Sequence, residues 1–252
     1  MSTILVDGLK CNYYKYGERG ISVVLMHGWG QNTVMMEHIA LFLKDHFVVY
    51  NFDFPGFGKS DEPKIAFSVE DYTEWFAHFL NELGVENPIL IGHSFGCRVA
   101  VRYAYKHPVR RMVLTGAAGV RDKHGIDYYA KIYTYKAAKK LLSPFKGQLS
   151  KLQSKVGSED YRNASGVMRE TLVKVVNDDV SDILKDINVE TLLVFGENDE
   201  ATPLAKGRFM EKEMPNAALV VFEGDDHFAY FNQANRFNLV LEAFLRRDYD
   251  IY

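Results

Sequence analysis

One five-residue run in this 252-residue chain stands out for its chemistry: Gly92-His93-Ser94-Phe95-Gly96. It follows the apolar, strand-like Pro88–Ile91 and opens an amphipathic, helix-like stretch. That is the setting of a nucleophile elbow, in which a serine sits on a sharp strand-to-helix turn. So tight a turn strains the serine backbone, and glycines two positions before and after let the chain pass closely. A hydroxyl at the start of a helix also sits where the helix dipole favours developing negative charge. Serine is a poor nucleophile at neutral pH and needs a base, itself oriented by an acid. His227 follows the last apolar run, in Phe222-Glu223-Gly224-Asp225-Asp226-His227-Phe228, and Asp199 follows the preceding one, in Phe195-Gly196-Glu197-Asn198-Asp199. Each of the three lies just past the end of a different strand-like run. In a parallel sheet those ends share one edge, where ligands bind. Asp225 and Asp226 compete with Asp199 for the acid role. Side chains adjacent in sequence diverge, so Asp199 is the better orienter of His227.

Acyl transfer also needs N–H donors aimed at the developing oxyanion, from the residue after the nucleophile and from an earlier loop. That loop is His27-Gly28-Trp29-Gly30 after the apolar Ile21–Met26, which makes the amides of Trp29 and Phe95 the candidate oxyanion hole. Neither G-x-G-x-x-G nor a G-K-[ST] loop is present here, so nucleotide binding is not expected. His93 is expected to turn away from Ser94 as a satisfied buried group. His38, His46, His78, His107 and His124 share no metal-ligand spacing and are read as helix or loop residues. No metal and no organic cofactor is called for.

The elements that must position these residues are legible in the pattern. Short runs rich in Val, Ile, Leu and Phe recur at Ile21–Met26, Phe47–Phe52, Ile89–Ile91, Met112–Leu114, Leu192–Phe195 and Leu219–Phe222. None alternates with polar residues, as expected of strands buried on both faces. Helices are expected over Thr33–Lys44, Ser68–Leu83, Phe95–Lys106, Lys206–Met214 and Ala234–Arg247, with Ser68 as an N-cap and Pro108 closing the third. Thr3–Val6 and Asn12–Tyr16, split by Asp7-Gly8, read as an antiparallel hairpin on the sheet edge. The fold class is therefore α/β: a mostly parallel central sheet of about eight strands flanked by helices. The rhythm breaks once. Residues 120–187 show no buried strand and read as an inserted helical cap, leaving 1–119 and 188–252 as the core. Residues 121–155 hold nine basic and two acidic side chains. Either they form a solvated face or they overlook the pocket mouth and attract anionic substrates. Tyr128, Tyr129, Tyr133 and Tyr135 pack onto the core or line an acyl pocket.

Composition bounds the rest. A net charge of -3 argues against a nucleic-acid binder. Hydrophobic residues at 47% and charged residues at 25% exclude a disordered chain or a coiled coil. No apolar run reaches the ~18 residues of a membrane span, and no signal peptide is visible. The two cysteines, Cys11 and Cys97, lie far apart in sequence and in no metal-ligand spacing. A cytoplasmic monomer or homodimer acting on a small molecule is the expectation.

Together, HGWG, Asp53–Asp61 (DFPGFGKSD), GHSFG, GENDEATP and GDDHF resemble the α/β-hydrolase superfamily over nearly the whole chain, and within it the small cofactor-free serine esterases and lipases. The resemblance implies Ser94 as nucleophile, Asp199 as acid, His227 as base, and Trp29 and Phe95 as oxyanion amides. It also implies a cap between strands six and seven, a turn-forming role for Asp53, and a packing role for Cys97, where many relatives carry glycine. The implied activity is cleavage of a carboxylic ester or related acyl compound through an acyl-enzyme. A C–C bond hydrolase or a perhydrolase with the same triad, and a small-molecule receptor on this fold with little turnover, stay open. Ser94 excludes the dehalogenases and epoxide hydrolases, which need an aspartate nucleophile.

Overall fold

A computed structural model describes residues 1–121, 159–164 and 166–249. Eight strands form one sheet in the order β1-β2-β4-β3-β5-β6-β7-β8. They are β1 (Ser2–Val6), β2 (Leu9–Tyr16), β3 (Ser22–Met26), β4 (Val48–Phe52), β5 (Ile89–His93), β6 (Arg111–Thr115), β7 (Thr191–Gly196) and β8 (Ala217–Phe222). β1 and β2 pair antiparallel, as do β2 and β4; all pairs from β4 through β3 to β8 are parallel. The hairpin turn has positive φ at both Asp7 and Gly8, 50° and 78°, as a two-residue type I′ loop requires. The expected strands are thus present with shifted ends: β3 and β4 start one residue later than expected, while β6 and β7 run on through the buried polar Arg111, Thr115 and Thr191.

Helices cover both faces. α2 (Val69–Glu82) and α3 (Phe95–Lys106) pack on one, where Phe52, Phe54, Tyr72, Phe76, Phe79 and Phe95 lie in one core. α1 (Glu37–Leu43) and α8 (Ala234–Leu245) cover the other, against Val23, Leu25, Ile89, Ile91 and Val113. A sheet buried on both faces requires the continuous apolar strands seen in the sequence. α2 begins with a full capping box: Ser68 accepts from Asp71 N, and Asp71 accepts from Ser68 N at 2.6 Å. The expected helix over Thr33–Lys44 divides into a 3₁₀ turn, Thr33–Met36, and α1. The reason is a tether, since Thr33 N–H donates to Asp53 Oδ1 at 2.7 Å. α6 (Leu204–Glu213) starts two residues earlier than expected, directly after Pro203. α7 (Ala229–Asn232) is a short helix the pattern did not announce, and α8 ends in a 3₁₀ turn over Arg246–Asp248.

Between β6 and β7 the described residues form α4 (Glu159–Asn163), α5 (Gly166–Val176) and a 3₁₀ turn, Ser181–Asp186. α5 docks on the loop after β4: Phe67 N–H donates to Thr171 Oγ1 at 3.1 Å, and Lys174 Nζ to Ala66 O at 2.5 Å. Arg98 Nη1 of α3 donates to Asp178 O at 2.7 Å, fastening the return to the core. Tyr128, Tyr129, Tyr133, Tyr135, His124 and most of the basic residues expected on the cap lie outside the described residues.

Candidate active site

β5 ends at His93 and α3 begins at Phe95, so Ser94 alone makes the turn. Its backbone sits at φ 49° and ψ -107°, a conformation that costs a non-glycine residue on the order of 1–3 kcal/mol. Three backbone bonds hold it there: Ser94 N–H donates to Thr115 O at 3.0 Å, and Ser94 O accepts from Cys97 N at 3.1 Å and Ala118 N at 3.4 Å. Gly96 is required because a Cβ there would lie 2.2 Å from Met26 O. Phe95 is the first residue of α3, so its N–H has no intrahelical acceptor.

β7 and β8 deliver the acid and the imidazole. His227 Nδ1 donates to Asp199 Oδ2 at 2.8 Å, and the Asp199 side chain is fully buried. Burial alone pushes the Asp199 carboxyl up, but the bonds from His227 and Thr202 outweigh it and hold it below its ordinary value. Asp199 thus stays ionised beside the imidazole. Thr202 is the residue the sequence reading missed. Its N–H donates to Asp199 Oδ1 and its hydroxyl to Asp199 Oδ2, both at 2.7 Å, while the hydroxyl also lies 3.2 Å from His227 Nδ1. Its only sequence signal is a hydroxyl three residues beyond an acid, the spacing of a local side-chain turn.

Ser94 and His227 flank the same short segment. Ser94 binds Thr115 O, and a Cβ on the next residue, Gly116, would fall 2.9 Å from His227 Nδ1. Ser94 and His227 are not hydrogen-bonded to each other in this structure, and nucleophile–base contacts commonly tighten only with substrate bound. Asp225 and Asp226 are occupied elsewhere. Asp225 accepts from Asn232 Nδ2, Gln233 Nε2 and its neighbour's N–H, at 2.7–2.9 Å. Asp226 accepts from Phe228 N–H at 2.8 Å and Asn232 Nδ2 at 3.0 Å.

The loop from His27 to Gly30, the candidate oxyanion loop, is held by neutral bonds. His27, fully buried, donates from Nδ1 to Gly28 O at 2.7 Å and accepts Phe54 N–H on Nε2 at 3.0 Å. Burial pushes its pKa down to about 4, against the opposing pull of the Gly28 carbonyl and the Asp53 charge. Asp53 is a structural hub, accepting from Thr33 N, Lys59 N and Asn12 Nδ2. Trp29 packs its ring edge-on against Phe57 and Phe95, at 4.8 and 5.6 Å, so the wall beside the loop is aromatic.

The expectation for His93 is corrected in part. Nδ1 bonds Thr115, but Nε2 is buried without a partner and the ring lies 4.7 Å from that of His227. Burial first, and then His227, push its pKa well below the ordinary histidine value. His78 pairs with Asp7, His46 stacks on Tyr249 and His107 on Tyr103. Cys97 is buried in the core, its Sγ 3.6 Å from Thr115 O. Among the described residues no His, Cys, Asp and Glu cluster is placed to hold a metal ion, and no helix is long and apolar enough to cross a membrane.

Comparison with known proteins agrees with this architecture. A family model described as alpha/beta hydrolase fold matches residues 21–130, and one described as TAP-like protein matches residues 171–248. A 2-hydroxy-6-oxononadienedioate/2-hydroxy-6-oxononatrienedioate hydrolase from Burkholderia vietnamiensis is 28% identical, over 97% of this chain and 94% of its own. A pimeloyl-[acyl-carrier protein] methyl ester esterase from Vibrio cholerae is 27% identical, over 93% of this chain and 98% of its own. Among solved structures, an esterase from Exiguobacterium antarcticum superposes with a TM-score of 0.76 at 22% identity, covering 97% of this chain and 99% of the other. With an eight-stranded, mostly parallel sheet and these matches along its length, the chain belongs to the α/β-hydrolase superfamily.

Proposed function

We propose that the protein is a serine hydrolase of carboxylic esters acting through an acyl-enzyme. The observation that carries the reading is the buried Asp199–His227 bond at 2.8 Å, at the same sheet edge as a serine held at φ 49° with only β6 between β5 and β7. Ser94 Oγ attacks the acyl carbon while His227 takes its proton. Asp199 fixes the imidazole with Nδ1–H toward the carboxylate and offsets the charge that forms. The amides of Trp29 and Phe95 receive the oxyanion, in a site where preorganised donors count for more than in water. His227 then passes its proton to the leaving alcohol, and water, activated by the same imidazole, releases the acid. The aromatic wall of Trp29, Phe57 and Phe95 favours an uncharged acyl group beside the oxyanion. Residues 120–187 serve in this reading as a cap over the pocket, and its basic first half favours substrates whose distal end is anionic.

Hydrolysis of a C–C bond in a diketone by the same triad is the second reading. It is favoured by the similarity to the Burkholderia hydrolase over nearly the whole of both chains. A panel of p-nitrophenyl esters set against a vinylogous diketone separates the two. The ester reading expects turnover of short and medium acyl chains and none of the diketone. Diketone cleavage with inert esters would replace it.

A further inference from the structure

The loop that offers Trp29 N–H is a four-residue turn. Gln31 N–H donates to Gly28 O at 3.2 Å, and Gly30, the third residue, sits at φ 70°, as that position of a type II turn requires. In such a turn the N–H of the second residue, Trp29, is left outside the ring. The planar trans peptide between Gly28 and Trp29 ties the two groups together. Whatever holds Gly28 C=O on one side points Trp29 N–H to the other. Gly28 O is held by Gln31 N–H and His27 Nδ1. The preceding peptide is held as well, because Gly28 N–H donates to Gln31 Oε1 at 3.1 Å. The Gln31 amide also lies flat against the glycine: a Cβ on Gly28 would meet Gln31 Nε2 at 3.0 Å and His93 Cδ2 at 2.9 Å. Gln31 thus closes the turn twice, once through its backbone and once through its side chain.

We infer that Gln31 is a positioning residue for the oxyanion hole: its side-chain amide fixes the peptide before Gly28 and its backbone N–H the peptide after it, and the turn so closed aims Trp29 N–H at the reacting carbonyl. The inference rests on the serine-hydrolase reading above. Gln31 touches no reacting atom. Its effect falls on the transition state, where the donor must already be aligned, and not on ground-state binding.

The test uses the full chain as wild type, Gln31→Met, which keeps side-chain length without an acceptor, and Gln31→Ala. Active sites are counted by titration to completion with a fluorophosphonate, so unfolded protein lowers the number of sites and not the rate per site. For each, kcat and KM are measured on p-nitrophenyl acetate, together with inhibition by an alkyl boronic acid, whose serine adduct mimics the tetrahedral oxyanion. Both variants are expected to lose about tenfold in kcat with KM nearly unchanged, and to bind the boronic acid weaker by the same factor. Unchanged kcat per site, or a loss confined to KM, would overturn the role of Gln31. A wild type that neither labels nor turns over the ester would instead remove the hydrolase reading on which it rests.

Discussion

The two corners of the proposed site, one assigned acid–base work and the other the oxyanion, are built on opposite physical plans. The acid–base corner, from the loops after β7 and β8, consists of side chains and is held by charge: one buried carboxylate gathers His227 Nδ1–H, Thr202 O–H and Thr202 N–H. The oxyanion corner, from the loop after β3 and the start of α3, consists of backbone. It is held by neutral groups, namely a buried imidazole kept uncharged, an amide side chain and a turn. Charge suits a group that must take up and release a proton, since the imidazolium needs a partner at once. Neutral, buried clamps suit a donor that must not move or titrate while the oxyanion forms.

If that division is right, the largest losses come from the charged corner. Asp199→Asn is expected to reduce kcat by roughly 10⁴, through loss of the imidazole's orienting partner. Asp225→Asn and Asp226→Asn should retain most activity, because their carboxylates bind Asn232, Gln233 and backbone amides. Steady-state rates on one ester rank them, and the reverse ranking would reassign the acid.

A smaller effect tests the space between the corners. Gly116→Ala places a Cβ 2.9 Å from His227 Nδ1 at a φ of 49°. The displaced imidazole is expected to cost about 10² in kcat/KM, read from steady-state rates on titrated sites.

Acid distinguishes the two plans directly. His27 has its pKa lowered to about 4 in the folded protein, against about 6.5 unfolded. Below pH 6.5 the unfolded chain binds a proton that the folded one refuses. Its contribution to stability, about 3 kcal/mol, is therefore full above that pH and lost as the pH falls toward 4. Asp199, also depressed, gives up its contribution only at lower pH still, below the ordinary carboxylate range. Urea midpoints from pH 7 to pH 4 should fall for wild type and fall less for His27→Asn, by the share of His27 alone, since His93 is likewise held below its ordinary value in both. Parallel curves would contradict the neutral-clamp account.

The smallest change concerns Thr202. Thr202→Val removes the hydroxyl bond to Asp199 and is expected to lower kcat about tenfold with KM unchanged, while Thr202→Ser restores it. A Val variant with wild-type kcat would leave Thr202 as a turn residue and nothing more.

The same division explains what was legible in the sequence. Ser94, Asp199 and His227 could be proposed because each is a reactive side chain at the end of an apolar run, and parallel strands bring such ends to one edge. Trp29 and Phe95 could be proposed only through the glycines around them, since a backbone donor has no residue type of its own. Thr202 and Gln31 were not legible: both make local hydrogen bonds of a kind any short polar loop could make. The expected β6 and β7 were too short for a related reason. Arg111, Thr115 and Thr191 are buried polar residues that hydropathy assigns to loops. Arg111 is kept inside by its ion pair with Asp248, 137 residues away. The 3₁₀ turn that splits off at Thr33–Met36 is tethered to Asp53 by a bond that no local pattern carries.

The central claim is that both corners serve one activated serine. It is tested most directly by treating wild type and Ser94→Ala with a fluorophosphonate and mapping the adduct by peptide mass spectrometry. The account predicts a single adduct on the peptide containing Ser94 in wild type. It predicts none in Ser94→Ala, which keeps its fold and loses on the order of 10⁴–10⁶ in kcat. An adduct on another residue, or a Ser94→Ala protein retaining more than about a tenth of wild-type turnover, far above the residual rate of an enzyme without its nucleophile, would contradict it.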